Sequence, residues 1–212
     1  NSIALKMVAR NKGILAADES TGTMTKRLDS INVESTSESR RQWRQLLFQT
    51  PDISDYISGV IMYDETLRQF DDSGKTLVEL LSDKDILAGI KVDNSTHDLA
   101  GAPGEFITEG LDGLRGRLAE YYNLGARFTK WRALITIGEG RPSDYAINTN
   151  MHALARYSAL CQEQGLVPIV EPEILMDGTH SIDDCRSATT RSLIKVFEEL
   201  DAQNVDLEGI VL

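Results

Sequence analysis

The chain has 212 residues, of which 41% are hydrophobic, and a formal net charge of -11. This length suits one large α/β domain or two small ones. The acidic balance argues against a nucleic-acid partner, which needs a basic patch, but allows a local cationic pocket for an anionic metabolite. Cys161 and Cys185 are too few for a disulfide scaffold, so we expect a reducing, cytoplasmic compartment. Neither an apolar run of roughly 20 residues nor a signal-peptide pattern occurs, so no membrane partner is expected.

Apolar runs alternate with amphipathic stretches along the chain. Strands are predicted over residues 13–18, 57–63, 87–93, 127–137, 166–175 and 207–212. Helices are predicted after a Ser20 or Thr21 cap, over residues 37–48, around 77–81, over 108–124 and 143–164, and from a Ser181 cap to residue 200. The helix over 37–48 is predicted to turn its arginines outward and Trp43, Leu46 and Leu47 inward. Residues 94–105 are predicted to form a long loop.

Strands joined by helices favour a parallel sheet. No Gly-x-Gly-x-x-Gly or Walker loop follows any strand, so a doubly wound nucleotide-binding fold is less favoured than a barrel. A (β/α)8 TIM barrel takes about 250 residues and closes on eight strands. We therefore interpret residues 1–212 as a single domain of α/β class that covers about the first six strands of such a barrel.

The fifth strand, Leu166-Val-Pro-Ile-Val-Glu-Pro-Glu-Ile-Leu175, ends in two carboxylates. Glu171 and Glu173 are two residues apart, so an extended strand points both to one side. Pro172 cannot donate to a neighbouring strand, and regular pairing is expected to fail there. The stretch is open to two interpretations, a site that needs an acid and a base or a strand running out into a solvated loop.

Charged residues also stand within or directly after other apolar strands. The whole set is Asp18, Lys91, Asp93, Lys130, Arg132, Glu171 and Glu173. In a barrel the active site lies at the carboxyl ends of the strands. Arginine and lysine bind phosphate, and a desolvated lysine can act as an amine nucleophile or a proton carrier. Any one of these residues could belong to a surface salt bridge, but the set as a whole favours a site.

Metal chemistry is not predicted. His97, His152 and His180 are isolated and lack the spacing of paired ligands. Neither cysteine has a neighbour that would make it a nucleophile, which favours plain packing. Trp131 alternates with two cations and is predicted to pack between strand and helices. We therefore expect neither a metal nor a cofactor.

Four segments closely resemble class I fructose-1,6-bisphosphate aldolase. They are Gly13-Ile-Leu-Ala-Ala-Asp-Glu-Ser-Thr-Gly22, Gly89-Ile-Lys-Val-Asp93, Lys130-Trp-Arg132 and Val167-Pro-Ile-Val-Glu-Pro-Glu-Ile-Leu175, and Leu207-Glu-Gly209 follows the same pattern. The resemblance implies a (β/α)8 barrel that needs no metal and works through a lysine Schiff base. It implies reversible cleavage of fructose 1,6-bisphosphate to dihydroxyacetone phosphate and glyceraldehyde 3-phosphate in glycolysis and gluconeogenesis. Members of the family are commonly homotetramers.

The resemblance also implies a role for each matching residue. Glu171 would carry protons for Schiff-base formation and hydrolysis, and Lys130 would assist the carbinolamine chemistry. Asp18 would handle the hydroxyl at the bond that breaks, and Glu173 would support the lysines. Substrate or phosphate contacts are implied for Arg27, Lys91, Arg132, Ser20 and Thr23. Thr23 stands where relatives often have serine, which keeps the hydroxyl donor.

One departure from the family pattern is serious. In the family the Schiff-base lysine follows directly after the strand that is written here as residues 207–212, and a further helical stretch precedes residue 1. The 212 residues are therefore expected to be part of a longer aldolase and to be inactive alone. Two alternatives remain open, another barrel lyase that forms its Schiff base on Lys91 or Lys130, and a non-catalytic fragment that acts as a binding or scaffold protein.

Overall fold

The computed structural model describes residues 2–212, and its helices and strands alternate along the chain. In chain order they are α1 (Ser2–Met7), β1 (Gly13–Ala17), α2 (Thr21–Asp29), α3 (Ser37–Phe48), α4 (Ile53–Tyr56), β2 (Ile57–Met62), α5 (Asp64–Leu67), α6 (Leu77–Ser82), β3 (Leu87–Lys91), β4 (Thr96–Asp98), β5 (Phe106–Thr108), α7 (Leu114–Asn123), β6 (Phe128–Ile135), α8 (Asp144–Glu163), β7 (Val167–Ile174) and α9 (Ile182–Ala202), with a final 3-10 helix over Leu207–Gly209. The predicted α/β class is confirmed.

The strand order of the main sheet is β1-β2-β3-β6-β7, and β4 and β5 form a separate antiparallel hairpin. β1 pairs with β2, and β2 with β3, in the parallel direction. Ala17 lies opposite Met62, and Met62 lies opposite Ile90. The carboxyl ends of these three strands therefore reach one edge at the same level. In open and closed parallel sheets, this is the edge that carries functional residues.

Hydroxyl side chains fix where several helices begin. Ser20 accepts a hydrogen bond from the Thr23 N–H at the start of α2, and Ser143 caps α8 in the same way. Ser181 and Asp184 exchange hydrogen bonds at the start of α9, which confirms the predicted capping box. Each cap satisfies backbone donors that the first helical turn leaves without partners.

The described chain divides into two compact units. One comprises the residues up to Lys91 together with Glu120–Thr129, and the other comprises Val92–Ala119 and Lys130–Leu212. The expectation of a single domain over residues 1–212 stays a prediction.

The core of the first unit packs tightly around Phe128. The ring of Phe128 is fully buried and covers Gly59 of β2 and Gly89 of β3. A Cβ atom at Gly59 would lie 2.9 Å from the ring, and one at Gly89 would overlap it. Glycine at these two positions lets an aromatic ring pack directly on the sheet backbone.

The core of the second unit includes Trp131 of β6 and Tyr157 of α8. Both side chains are fully buried, and their ring centroids are 5.5 Å apart. Trp131 thus lies on the helix-covered face of its strand, as predicted. α8 also packs against β7 and α9, which buries Leu154, Cys161 and Val196.

Three predicted elements differ from the structure. The strand predicted over 207–212 is wrong at residues 207–209, where a 3-10 helix forms because the Asp206 carboxylate accepts the Glu208 N–H at 3.0 Å, whereas Val211 pairs in the parallel direction with Ile169. The predicted loop over 94–105 contains β4. The helix predicted from residue 108 begins only at Leu114, because Gly110 and Gly113 have φ values of +131° and +69°.

The predicted break at Pro172 is also wrong, since β7 continues to Ile174.

Asn150 of α8 explains why residues near 108 are extended. Its buried side-chain amide donates to the Phe106 carbonyl at 2.8 Å, while its oxygen accepts the Thr108 N–H at 3.4 Å. This contact between distant residues favours strand β5 over an earlier start of α7.

The orientation predicted for α3 is wrong as well. Arg40, Arg44 and Phe48 are spaced four residues apart and form its buried row, while Leu46 is 67% exposed. Two arginines therefore point into the protein rather than into solvent.

We predict that Gly89→Ala lowers the free energy of unfolding by about 1–3 kcal/mol, because the added methyl group overpacks the site of the Phe128 ring. Gly116→Ala is the control. Gly116 lies in α7, and no atom lies within 4 Å of the place that an added methyl group would take, so alanine should stabilise by about 0.5–1 kcal/mol. Urea unfolding followed by circular dichroism measures both. Equal stability of Gly89→Ala and wild type would contradict the packing described.

Candidate active site

In the second unit, one face of β6 carries two cations. Lys130 and Arg132 alternate with Trp131 and Ala133, which are completely buried on the opposite face. The two-residue period of a strand places both cations on one side. The Lys130 side chain is only 13% exposed.

Two carboxylates of β7 face these cations with the same spacing. Nζ of Lys130 lies 3.7 Å from Oε2 of Glu171, and Nε of Arg132 lies 2.6 Å from Oε2 of Glu173. The second pair is at ion-pair distance, although the N–H bond of Arg132 is not aligned for a hydrogen bond. The carboxylates thus lie opposite cations within β7, and the strand does not run out into a solvated loop at Glu171 and Glu173.

We call these two ion pairs the charge ladder (Lys130, Arg132, Glu171 and Glu173). The charge ladder has the components for proton transfer. A carboxylate and an ammonium group held within 4 Å can pass a proton to and from a bound molecule. The guanidinium group of Arg132, with its side chain 40% exposed, presents donors suited to an anionic group.

Asp93, which lies in the second unit, comes two residues after the end of β3. The Val92 N–H donates to the Lys130 carbonyl at 3.1 Å, so Asp93 comes directly after a residue paired with β6. Oδ1 of Asp93 accepts the Ser95 N–H at 3.2 Å, which closes a tight turn. Arg117 reinforces this turn by donating to the carbonyls of Val92 and Gly110 at 2.9 and 2.6 Å.

In the first unit, the loop between β1 and α2 (residues 18–20) holds another group of predicted site residues. Asp18 is only 9% exposed. The hydroxyl of Ser20 lies 3.2 Å from that of Thr23, because Ser20 caps the helix in which Thr23 stands. Arg27, one turn further along α2, forms an ion pair with Glu19.

Lys91 ends β3, and Asp18 follows β1. The register of the parallel strands puts Ala17 and Ile90 at one level on either side of Met62, so the backbones of Asp18 and Lys91 leave the sheet at the same edge. The structure therefore places Asp18, Ser20, Thr23, Arg27 and Lys91 in the first unit, on or directly beside β1, α2 and β3, and places the charge ladder in the second.

Four charged residues near the loop are not found by the sequence analysis: Glu19, Arg40, Arg44 and Glu65. Glu19 accepts from both Arg27 and Arg44, and Arg40 donates to both carboxylate oxygens of Glu65 at 2.7 and 2.9 Å. Hydrogen bonds from Arg40 lower the pKa of Glu65. The spacing of four residues between Arg40 and Arg44, and between Arg44 and an aromatic residue, is the signal in the sequence that could have found both arginines.

No group of three or more His, Cys, Asp or Glu side chains in residues 2–212 is arranged to hold a metal ion. His152 is paired with Glu199 at 2.9 Å on the surface, and Cys161 is buried, as the packing interpretation predicted. None of the helices that the structure describes is both long and apolar enough to span a membrane.

Comparison with known proteins identifies the kind of molecule that has this arrangement. The family model for class-I fructose-bisphosphate aldolase matches residues 1–212. The chain is 56% identical over 209 residues to a probable fructose-bisphosphate aldolase class 1 of Xanthomonas campestris, and 54% identical over 201 residues to the cytosolic fructose-bisphosphate aldolase 4 of Arabidopsis thaliana. These matches cover 99% and 95% of this chain.

The fold agrees with the sequence comparison. The structure is similar to fructose-bisphosphate aldolase from Plasmodium falciparum, solved in complex with TRAP and a small-molecule inhibitor, with a TM-score of 0.97 at 47% identity over 99% of this chain. That protein is a TIM barrel, and this chain corresponds to part of it. The chain belongs to the class I fructose-bisphosphate aldolase family. It spans 63%, 51% and 61% of the lengths of these three relatives.

We predict that Glu65→Gln lowers the free energy of unfolding at pH 7 by about 1–3 kcal/mol, because Nε and one terminal nitrogen of Arg40 lose their charged acceptor. The pKa of Glu65 is lowered in the folded protein from its ordinary value of 4.5, so the wild-type advantage is complete above pH 4.5 and disappears as the pH falls through the folded value. Urea unfolding between pH 3 and pH 7 measures it, and a difference that does not narrow on acidification would contradict the pairing.

Proposed function

We propose that the protein is a class I fructose-bisphosphate aldolase. It cleaves fructose 1,6-bisphosphate reversibly into dihydroxyacetone phosphate and glyceraldehyde 3-phosphate. Family membership supports this reaction, and the charge ladder is the observation that carries it. Schiff-base cleavage needs a carboxylate that moves protons and a cation that stabilises developing charge beside the reacting lysine, and Glu171 and Lys130 supply these two groups.

Each ladder residue has a distinct part in the proposal. A Schiff base between a lysine and the substrate ketone gives an iminium ion, which accepts the electron pair left by C–C cleavage. Glu171 carries the protons for forming and hydrolysing that Schiff base. Lys130 stabilises the carbinolamine and the developing charge, and Glu173 holds Arg132 in place.

The residues of the first unit have roles in the same proposal. Asp18 takes the proton from the hydroxyl group next to the bond that breaks. Lys91, Arg27 and Arg132 are cations suited to the phosphate groups of the substrate. The hydroxyls of Ser20 and Thr23, 3.2 Å apart at the start of α2, add donors for a phosphate or sugar oxygen.

Further expectations follow from the relatives. We propose that the protein acts in glycolysis and gluconeogenesis as a cytoplasmic homo-oligomer, a tetramer by resemblance, without a cofactor. Relatives from Arabidopsis thaliana and Spinacia oleracea are named cytosolic or cytoplasmic, which supports the compartment. A sugar phosphate is the partner, and neither nucleic acid nor a membrane is.

A second candidate is another barrel lyase whose Schiff base forms on Lys130 itself. The observation in its favour is the low exposure of the Lys130 side chain, whose Nζ lies 3.7 Å from Glu171. This candidate differs from the aldolase proposal in which lysine becomes attached to the substrate.

We expect the protein expressed from its complete gene to cleave fructose 1,6-bisphosphate at the same rate with and without EDTA, because a Schiff base replaces a metal as the electron sink. Release of glyceraldehyde 3-phosphate in a coupled assay measures turnover, and fructose 1-phosphate tests the need for the second phosphate. Absence of turnover, or its loss in EDTA, would refute the proposal.

We further predict that Glu171→Gln lowers kcat at least about 100-fold, because the amide cannot transfer the protons that the carboxylate carries. Glu163→Gln is the matched control, since Glu163 is an α8 surface residue paired only with Arg115 among the described ion pairs. That variant should keep wild-type kcat. A Glu171→Gln variant as active as the control would remove Glu171 from the mechanism.

A further inference from the structure

Arg44 has an unusual place for an arginine. Its side chain is 1% exposed, yet it reaches from α3 to the loop between β1 and α2. Nε donates to the Ala17 carbonyl at 3.3 Å, and one terminal nitrogen donates to the Glu19 carbonyl at 2.8 Å. That same nitrogen lies 3.4 Å from the Glu19 carboxylate.

The two carbonyls belong to the residues on either side of Asp18. A single planar guanidinium group therefore holds the backbone before and after this carboxylate. Because the guanidinium fork is rigid, it fixes the distance between the two carbonyls as well as their direction. Ser20 is held separately, by its cap on α2.

Burying the Arg44 cation costs free energy, and the charges of neighbouring acidic side chains offset part of that cost. Burial lowers the pKa of the Arg44 guanidinium, while the charges of Glu19, Glu65 and Asp18 oppose that effect. Glu19 lies between Arg44 and Arg27, and its side chain is only 12% exposed. Because the buried Arg44 cation needs these partners, it constrains the backbone groups that accept its hydrogen bonds.

We propose that Arg44 is a positioning residue that fixes the β1–α2 loop and thereby the carboxylate of Asp18. The effect on catalysis rests on the function proposed above, whereas the effect on the loop does not. Arg44 is not a catalytic residue, because it acts through Asp18 and not on the substrate. Its substitution should therefore alter the reaction step more than substrate binding.

Arg40 provides a matched control. It lies one turn before Arg44 on the same buried row of α3, and it also donates to a carboxylate, that of Glu65. Its described hydrogen bonds go to Glu65 and Ser35 and not to the β1–α2 loop. Arg44→Lys and Arg40→Lys each keep a positive charge, but a lysine ammonium cannot reproduce the two-pronged geometry.

The experiment compares hydrogen–deuterium exchange and kinetics of wild type, Arg44→Lys and Arg40→Lys in the protein expressed from its complete gene. We expect exchange of residues 18–21 to be at least about tenfold faster in Arg44→Lys alone. In the same variant kcat for fructose 1,6-bisphosphate should fall about tenfold to 100-fold with KM changed less than about threefold. Arg40→Lys should match wild type in both measurements.

Each other outcome counts against the proposal. Unchanged exchange at residues 18–21, equal acceleration in both variants, or faster exchange with wild-type kcat would overturn it. If Arg44→Lys does not fold, Arg44→Gln takes its place, and failure of both to fold would assign Arg44 to global folding instead. If wild type itself does not cleave the sugar phosphate, the proposed function fails, and the exchange data alone decide whether Arg44 fixes the loop.

Discussion

A charge carried on a largely buried strand is tolerated only when an opposite charge lies across from it. This constraint applies to the charge ladder chiefly at Lys130, whose side chain is 13% exposed. Lys130 and Arg132 are two residues apart on β6, and Glu171 and Glu173 repeat that spacing on β7, so each cation meets a carboxylate. The pairing explains how a sheet can keep four charges on one face. It also leaves an ammonium and a carboxylate close enough to act together on a bound molecule.

The same constraint acts in the unit that contains the β1–α2 loop, with a different solution. There a buried guanidinium group meets backbone carbonyls and the carboxylate of Glu19 instead of a facing strand. In our proposal, this contact transmits the rigidity of α3 to the loop. Arg40, a buried arginine of the same helix, donates instead to Glu65 and Ser35.

Much of the fold could be predicted because local signals and tertiary packing agree. The apolar run of β2, the Ser143 cap of α8 and the alternation around Trp131 each specify one structure. Two of the wrong predictions concern elements whose structure depends on one particular side-chain hydrogen bond. A run of apolar residues cannot reveal that Asp206 caps a 3-10 turn, nor that Asn150 holds β5 extended, because both depend on a specific hydrogen bond.

The candidate site could be predicted only in part from the sequence. Charges that interrupt apolar strands stand out, so Asp18, Lys91 and the ladder can be found from sequence. Arg44 is predicted to lie on the surface, because arginines on an amphipathic helix usually point to solvent. Only the structure shows that its hydrogen bonds end on both sides of Asp18. Residues that act by holding backbone carry little signal in a single sequence.

Borohydride reduction in the presence of dihydroxyacetone phosphate, followed by intact mass and peptide mapping, tests the central claim most directly. We expect one reduced adduct per polypeptide, on a lysine other than Lys91 and Lys130, because the ladder lysine serves the Schiff base without forming it. An adduct on Lys130 or Lys91 would favour the alternative lyase. No adduct under conditions that leave the protein folded would contradict Schiff-base chemistry altogether.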